Sequence, residues 1–110
     1  IITPGSVSGR VNMLKEGVPN SDVVVSLINK NGKEVQYTTT DSTGSFYMTA
    51  IPPGEYSLVV DKNYLDYKGL EEVSDKKNNI IIPFVKDDFI DISGVEINLR
   101  AKVGVIRRFD

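Results

Sequence analysis

The acidic side chains are the groups in this sequence that could do chemistry, because the usual nucleophiles and metal ligands are missing. The chain carries 15 Asp and Glu residues, 13 Lys and Arg residues, and neither His nor Cys. This composition excludes a thiol nucleophile, a Ser-His-Asp triad and a zinc site with His or Cys ligands. Catalysis would have to rest on paired carboxylates or a lysine, yet the acids are scattered through predicted turns. The sequence therefore predicts that the domain is not an enzyme and needs no cofactor.

Two groups of acids have the oxygen ligands that calcium prefers. The first joins Asp87 and Asp88 with Asp91, and the second joins Asp61 with Asp66. Neither group follows the ligand spacing of an EF-hand loop. Solvated turns are therefore the favoured interpretation, and the first group is kept as the metal-site hypothesis.

Tyrosines supply the other candidate contacts, because an exposed aromatic ring can stack on a sugar. Tyr64 and Tyr67 lie in an irregular segment, Tyr37 and Tyr47 are expected to point outward, and the chain has no Trp. A pair of tyrosines that caps one open end of the domain is favoured over a sugar platform. Carbohydrate binding by Tyr64 and Tyr67 stays open as an alternative.

The net charge of −2 argues against nucleic acid as a partner, since such partners usually require a basic face. The local basic cluster of Lys102, Arg107 and Arg108 is interpreted as a solvated tail. No apolar run approaches the roughly 20 residues of a membrane helix. A length of 110 residues suits one domain, with its core over 6–101. Because the chain starts at Ile1 rather than Met and shows no signal peptide, it is expected to be a segment of a larger protein.

The elements that must position these residues are almost all strands. Apolar residues alternate with polar ones through short runs separated by turn signals, at 6–13, 23–30, 35–40, 45–49, 56–60, 79–85 and 91–101. About seven such strands predict an antiparallel sandwich or barrel. The segment 61–79 has no clean period; it is predicted to be a long loop with a short strand near 68–73, and a helical turn at 63–68 stays open. Pro83 predicts an edge strand or a bulge.

Three turns punctuate the strands. Asn31-Gly32 predicts a hairpin, because both positions tolerate positive φ. "DSTG" at 41–44 predicts a turn in which Asp41 accepts from backbone amides and Gly44 is left-handed. "IPPGE" at 51–55 predicts a sharp corner, because prolines cannot donate to a ladder.

The order of these motifs resembles the carboxypeptidase regulatory-like and Cna B-type domains. The resemblance covers residues 7–60 and rests on "G-x-V" at 9–11, "GVPNSDVVVSL" at 17–27, "TTTDSTGSFYM" at 38–48 and "IPPGEYSLVV" at 51–60, with 95–99 as the closing strand. It implies an all-β, antiparallel Greek-key sandwich of the transthyretin-like (prealbumin-like) type. It also implies structural roles for Gly9, Asp41, Gly44, Phe46, Pro52, Pro53, Gly54 and Tyr56.

Some members of the family resembled form an internal Lys–Asn isopeptide bond, which is not expected here. The first strand carries Arg10 where the amine should be, and Arg cannot lose its proton to become a nucleophile. The acid would fall near Val60, which is apolar, and Asn98 is predicted to face outward. The histidines of transthyretin-related hydrolases are absent too.

The resemblance therefore implies an accessory or structural module of a larger secreted or cell-envelope protein. Such a module would space or present neighbouring domains, or bind another envelope protein, at an extracellular location. The alternative is a carbohydrate-binding module attached to an enzyme or transporter.

Overall fold

The computed structural model describes residues 4–73, 78–84 and 89–102. Within them the chain forms eight strands and one helix. In chain order these are β1 (Gly5–Met13), β2 (Val24–Asn29), β3 (Glu34–Thr39), β4 (Ser45–Ile51), β5 (Gly54–Val60), α1 (Lys62–Lys68), β6 (Leu70–Glu72), β7 (Asn79–Ile82) and β8 (Asp91–Ala101).

The strands form two four-stranded sheets that pack face to face. The first sheet has the order β4-β1-β8-β6 and the second has the order β3-β2-β5-β7. This arrangement confirms the predicted all-β sandwich, with eight described strands in place of about seven. The second sheet holds β7 at an edge, directly before Pro83, where the missing amide of proline costs no ladder bond.

The core lies between the sheets and follows the alternation in the sequence. All seven residues predicted to be central are buried: Val11, Val25, Leu27, Phe46, Tyr56, Leu58 and Ile97. The same cluster is completed by Val7, Val23, Met48, Ile51, Val60, Leu70, Ile80, Ile82 and Leu99. Because side chains alternate across a strand, a slip of one residue would turn each of these sets to water, so the core fixes the register.

One strand pair departs from the antiparallel arrangement that was predicted. β1 and β8 pair in parallel, with Gly9 opposite Val95 and Met13 opposite Leu99; the other pairs described are antiparallel. Alternation within a strand specifies its buried face but not the direction of a partner more than 80 residues away. The predicted antiparallel direction was therefore wrong for this one pair, because strand direction depends on the topology of the chain and not on local pattern.

The segment after β5 is more ordered than the predicted loop. Residues Lys62–Lys68 form a helix, so the helical turn left open for 63–68 is confirmed. Asp61 caps its first turn by accepting from the Tyr64 amide, and Gly69 ends it in the left-handed conformation. β6 then follows, close to the short strand predicted near 68–73.

Two turns differ in detail from their predictions. At the β2–β3 hairpin only Gly32 has a positive φ, of 83°, and its amide donates to the Asn29 carbonyl. The turn is thus centred on Lys30 and Asn31, with glycine after it, and not on Asn31-Gly32. The corner after β4 is shorter than the predicted 51–55. β4 ends at Ile51 and β5 begins at Gly54, so only Pro52 and Pro53 lie between the two strands.

Candidate functional site

The Asp41–Gly44 turn uses its carboxylate internally. Asp41 Oδ1 accepts from the Thr43 hydroxyl at 2.7 Å, the Thr43 amide at 2.9 Å and the Ser45 amide at 3.0 Å. The hydroxyl bond, followed by the two amide bonds, lowers the pKa of Asp41. Gly44 closes the turn with φ 84° and donates to the Asp41 carbonyl. The Asp41 carboxylate therefore has a structural role. It holds the turn between β3 and β4, where the chain passes from one sheet to the other.

Asn20 locks this turn to the first strand, a role that the sequence did not reveal. Its Nδ2 donates to the Val11 carbonyl at 3.0 Å and to the Thr43 carbonyl at 3.2 Å. The backbone carbonyl of Asn20 accepts from Thr40 Oγ1, and Thr40 Oγ1 in turn accepts from the Val23 amide. The only available signal was an asparagine in a polar loop, and that signal does not identify its distant partners.

The proline corner is closed by a tyrosine hydroxyl. Tyr56 donates to the Pro52 carbonyl at 2.6 Å while its ring lies in the core. Burial raises the pKa of the Tyr56 hydroxyl, which further favours the protonated form that donates this bond. The Pro52, Pro53, Gly54 and Tyr56 motif thus holds the β4–β5 crossing between sheets.

Tyr64 and Tyr67 both lie on α1 but differ in burial. Tyr64 packs partly buried against the core, whereas Tyr67 is 84% exposed with the Lys68 ammonium 5.4 Å from its ring centre. Tyr37 and Tyr47 face solvent as expected, but they belong to different sheets. The four tyrosines therefore differ in exposure and location, with Tyr37 and Tyr47 on separate sheets and Tyr64 partly covered by the core.

The candidate metal ligands are only partly within the described residues. Asp87 and Asp88 lie outside them, as do Arg107 and Arg108 of the basic cluster. Asp91 accepts from the Ser6 hydroxyl at 2.7 Å.

Asp61 and Asp66, the second candidate group of acids, have separate structural roles. Asp61 caps the helix, and Asp66 lies 4.0 Å from the Lys102 ammonium. Within 4–73, 78–84 and 89–102, no three acidic residues are grouped so that they could hold a metal ion.

The residues considered for an isopeptide bond also have other partners. Arg10 is exposed on β1, opposite Glu96 of β8. Asn98 lies on the same outer face and accepts from Asn12 at 2.9 Å. Lys15 follows β1 and donates to the Lys68 carbonyl at 2.9 Å, where its positive charge suits the C-terminal end of the helix.

Glu72 is a second residue that sequence reasoning missed. It belongs to β6 of the first sheet, and its Oε2 accepts from the Val60 amide of the second sheet at 3.0 Å. Burial raises the pKa of Glu72, and the hydrogen bond from Val60 opposes this effect only in part. β5 extends beyond the end of β7. There the Glu72 carboxylate accepts the hydrogen bond from the Val60 amide that a neighbouring strand would otherwise accept.

A small groove lies beside β5 and β7. Its volume is about 170 Å³, and Lys30, Glu55, Tyr56, Ser57, Asn79, Ile80 and Ile81 line it. Sites for small organic ligands usually occupy about 300–1,000 Å³, so the groove is small for such a ligand. No helix in the described part of the chain is long and apolar enough to span a bilayer.

The comparisons with known proteins agree with this architecture. The model of the carboxypeptidase regulatory-like domain matches residues 6–79. No curated protein matches the chain in sequence.

Three solved structures illustrate the fold. The major pilin BcpA of Bacillus cereus is 19% identical, with a TM-score of 0.56 over 86% of this chain and 29% of the pilin. The full-length major pilin SpaD of Corynebacterium diphtheriae is 16% identical, with a TM-score of 0.57 over 89% of this chain and 30% of the pilin. The 5-hydroxyisourate hydrolase of Klebsiella pneumoniae is 20% identical, with a TM-score of 0.51 over 86% of each chain.

This chain therefore spans less than a third of either pilin, and the likeness concerns the fold. The same sandwich serves pilins and an enzyme, so the fold alone does not assign a function.

Proposed function

This chain belongs to the carboxypeptidase regulatory-like domain family, and we propose that it is a non-catalytic structural module that spaces neighbouring domains of a larger cell-surface protein. The observation that carries the proposal is the parallel pairing of β1 with β8. Two adjacent parallel strands point the same way, so the start of β1 and the end of β8 lie at opposite poles of the sandwich. With nine residues in β1 and about 3.3 Å per residue, the module separates its neighbours by about 30 Å.

The side chains of the candidate site support a role without catalysis. Asp41 and Tyr56 hold two of the crossings between the sheets, β3–β4 and β4–β5. Asp61 and Glu72 satisfy backbone amides. The pilin neighbours favour an extracellular location and a place among domains in series.

The spacing role can be tested by placing the domain between two fluorescent reporter domains and measuring single-molecule energy transfer. A narrow distance distribution is expected, in contrast to a control in which a Gly/Ser linker of equal length replaces the domain. Such a linker has a root-mean-square span of about 58 Å with wide fluctuation. A distribution as broad as that of the linker would overturn the proposal. So would a melting temperature that rises when a candidate carbohydrate is added, because that rise would indicate a binding module.

A further inference from the structure

The pairing of β1 with β8 determines how the domain responds to tension. A pull on the two ends of the module draws β1 towards one pole and β8 towards the other, along their own axes. Every ladder bond between the two strands is then strained at the same time. A ladder pulled apart from one end would instead lose its bonds one after another.

The β1–β8 ladder is regular from Gly9 to Met13. Five consecutive residues pair in register: Gly9 with Val95, Arg10 with Glu96, Val11 with Ile97, Asn12 with Asn98 and Met13 with Leu99. At one end the Leu14 amide adds a bond to the Leu99 carbonyl at 2.7 Å. At the other end the register shifts between Val7 and Gly9, and beyond this irregularity the Ser6 amide donates to the Ile90 carbonyl at 2.9 Å.

The ladder is also protected from water on its inner side. β1 and β8 are the two central strands of their sheet. Val7, Val11, Ile97 and Leu99 cover the inner face with side chains that are fully or almost fully buried. Water competes poorly for bonds under such a cover, because a backbone group must first be exposed to exchange its partner.

On the outer face a side-chain bridge crosses the same two strands. Asn12 Nδ2 donates to Glu96 Oε1 at 2.7 Å and to Asn98 Oδ1 at 2.9 Å. A slip of β1 past β8 would break both bonds together with the ladder. We propose that the β1–β8 ladder and the Asn12 bridge form a shear clamp, which lets the domain carry tension between its ends without a covalent crosslink. This inference rests on the proposed spacing role and adds to it a mechanical property.

Force spectroscopy on single molecules can test the clamp by comparing two directions of pull. In the first, the intact chain is pulled through handles at its N- and C-termini. In the second, it is pulled through thiols introduced by Glu16→Cys and Lys102→Cys, which follow β1 and β8 at the same pole. The chain has no native Cys, so this attachment is specific. The terminal pull should need a force higher by about twofold or more, because the ladder bonds must break together.

The bridge is tested by Asn12→Ala under the terminal pull. Loss of its two bonds should make unfolding at constant force about tenfold faster. The matched control is Glu71→Ala, which removes an exposed ion pair to Arg100 between β8 and β6 and should leave this rate unchanged.

Equal rupture forces in the two directions would overturn the clamp. Equal unfolding rates for Asn12→Ala and the wild type would remove the bridge from it. Either result, together with a narrow distance distribution between reporter domains, would leave the spacing role intact. A broad distribution would overturn the spacing role itself.

Discussion

Substitution of Gly9 by Ala gives a sharp test of the structure, because strand propensity and packing predict opposite signs. Gly9 lies in β1 with an ordinary strand conformation. At such a position Ala is expected to stabilise the fold by about 0.5–1 kcal/mol, since it loses less backbone entropy on folding. The structure predicts the reverse, because β4 and β8 both approach β1 closely at this residue.

A β-carbon on Gly9 would overlap the Val95 carbonyl and lie 2.8 Å from Cζ of Phe46. The carbonyl belongs to the backbone of β8, so it cannot rotate away as a side chain could. Overpacking costs about 1–3 kcal/mol, and a broken ladder bond adds about 1 kcal/mol. After subtraction of the entropy gain, Gly9→Ala should lower the free energy of unfolding by about 2 kcal/mol.

Urea denaturation measures this change through the transition midpoint and the m-value. Gly32→Ala is the control, because its β-carbon would meet nothing and only the strain of φ 83° would count. Removing the Phe46 ring in a double variant should not restore stability, since the Val95 carbonyl stays in place. A Gly9→Ala protein as stable as the wild type would show that β1 and β8 do not approach as described.

Three further substitutions probe the core, the Glu72 carboxylate between the sheets and the irregular end of β4, where Gly5 pairs with Ile51 but Val7 pairs with Met48. Phe46→Ala should cost about 3–5 kcal/mol of unfolding free energy in the same assay, because the ring is buried; a loss under about 1 kcal/mol would contradict that. Burial raises the folded pKa of Glu72, so this residue contributes stability that is present below its unfolded pKa and lost as the pH rises through its folded pKa. Glu72→Gln keeps an acceptor for the Val60 amide but cannot ionise. Its melting temperature should exceed that of the wild type at about pH 7 but not at about pH 4. Equal melting temperatures of variant and wild type at both pH values would refute the burial of this carboxylate. Ala50 is exposed and has φ 58°, a conformation that glycine adopts more easily than alanine. Ala50→Gly should therefore raise the free energy of unfolding by about 1 kcal/mol and the melting temperature by a few degrees. A lower melting temperature would mean that the backbone at Ala50 is not strained.

The strands and their buried faces could be predicted because their signals are local. Alternation placed Val11, Phe46 and Leu58 in the core, and turn residues such as Asp41 and Gly44 marked the points where strands end. These signals act within a few residues of each other, and a single sequence contains them in full.

The helix after β5 was left open although its caps were visible. Asp61 at its start and Gly69 at its end are typical capping residues, and Lys68 suits its last turn. Seven residues are too short for a helical period to stand out. The contact of Tyr64 with the core, which no local pattern encodes, stabilises the helix instead.

The long-range partners could not be predicted at all. The roles of Asn20 and Glu72 depend on which backbone groups the fold leaves without a strand neighbour. That depends on the order of strands in each sheet, and strand order arises from packing of the whole chain. The direction of β8 relative to β1 was missed for the same reason.

The distance along the chain between β1 and β8 also has a consequence for how the domain is made. The Asn12–Asn98 contact joins residues 86 positions apart, whereas the second sheet uses only strands between Val24 and Ile82. Contacts between distant residues form slowly, because a long loop must close first. During synthesis the second sheet can therefore assemble early, while β1 has only β4 beside it until β8 leaves the ribosome. A nascent or truncated chain without β8 would expose one edge of β1, and with it a template for pairing with the wrong chain.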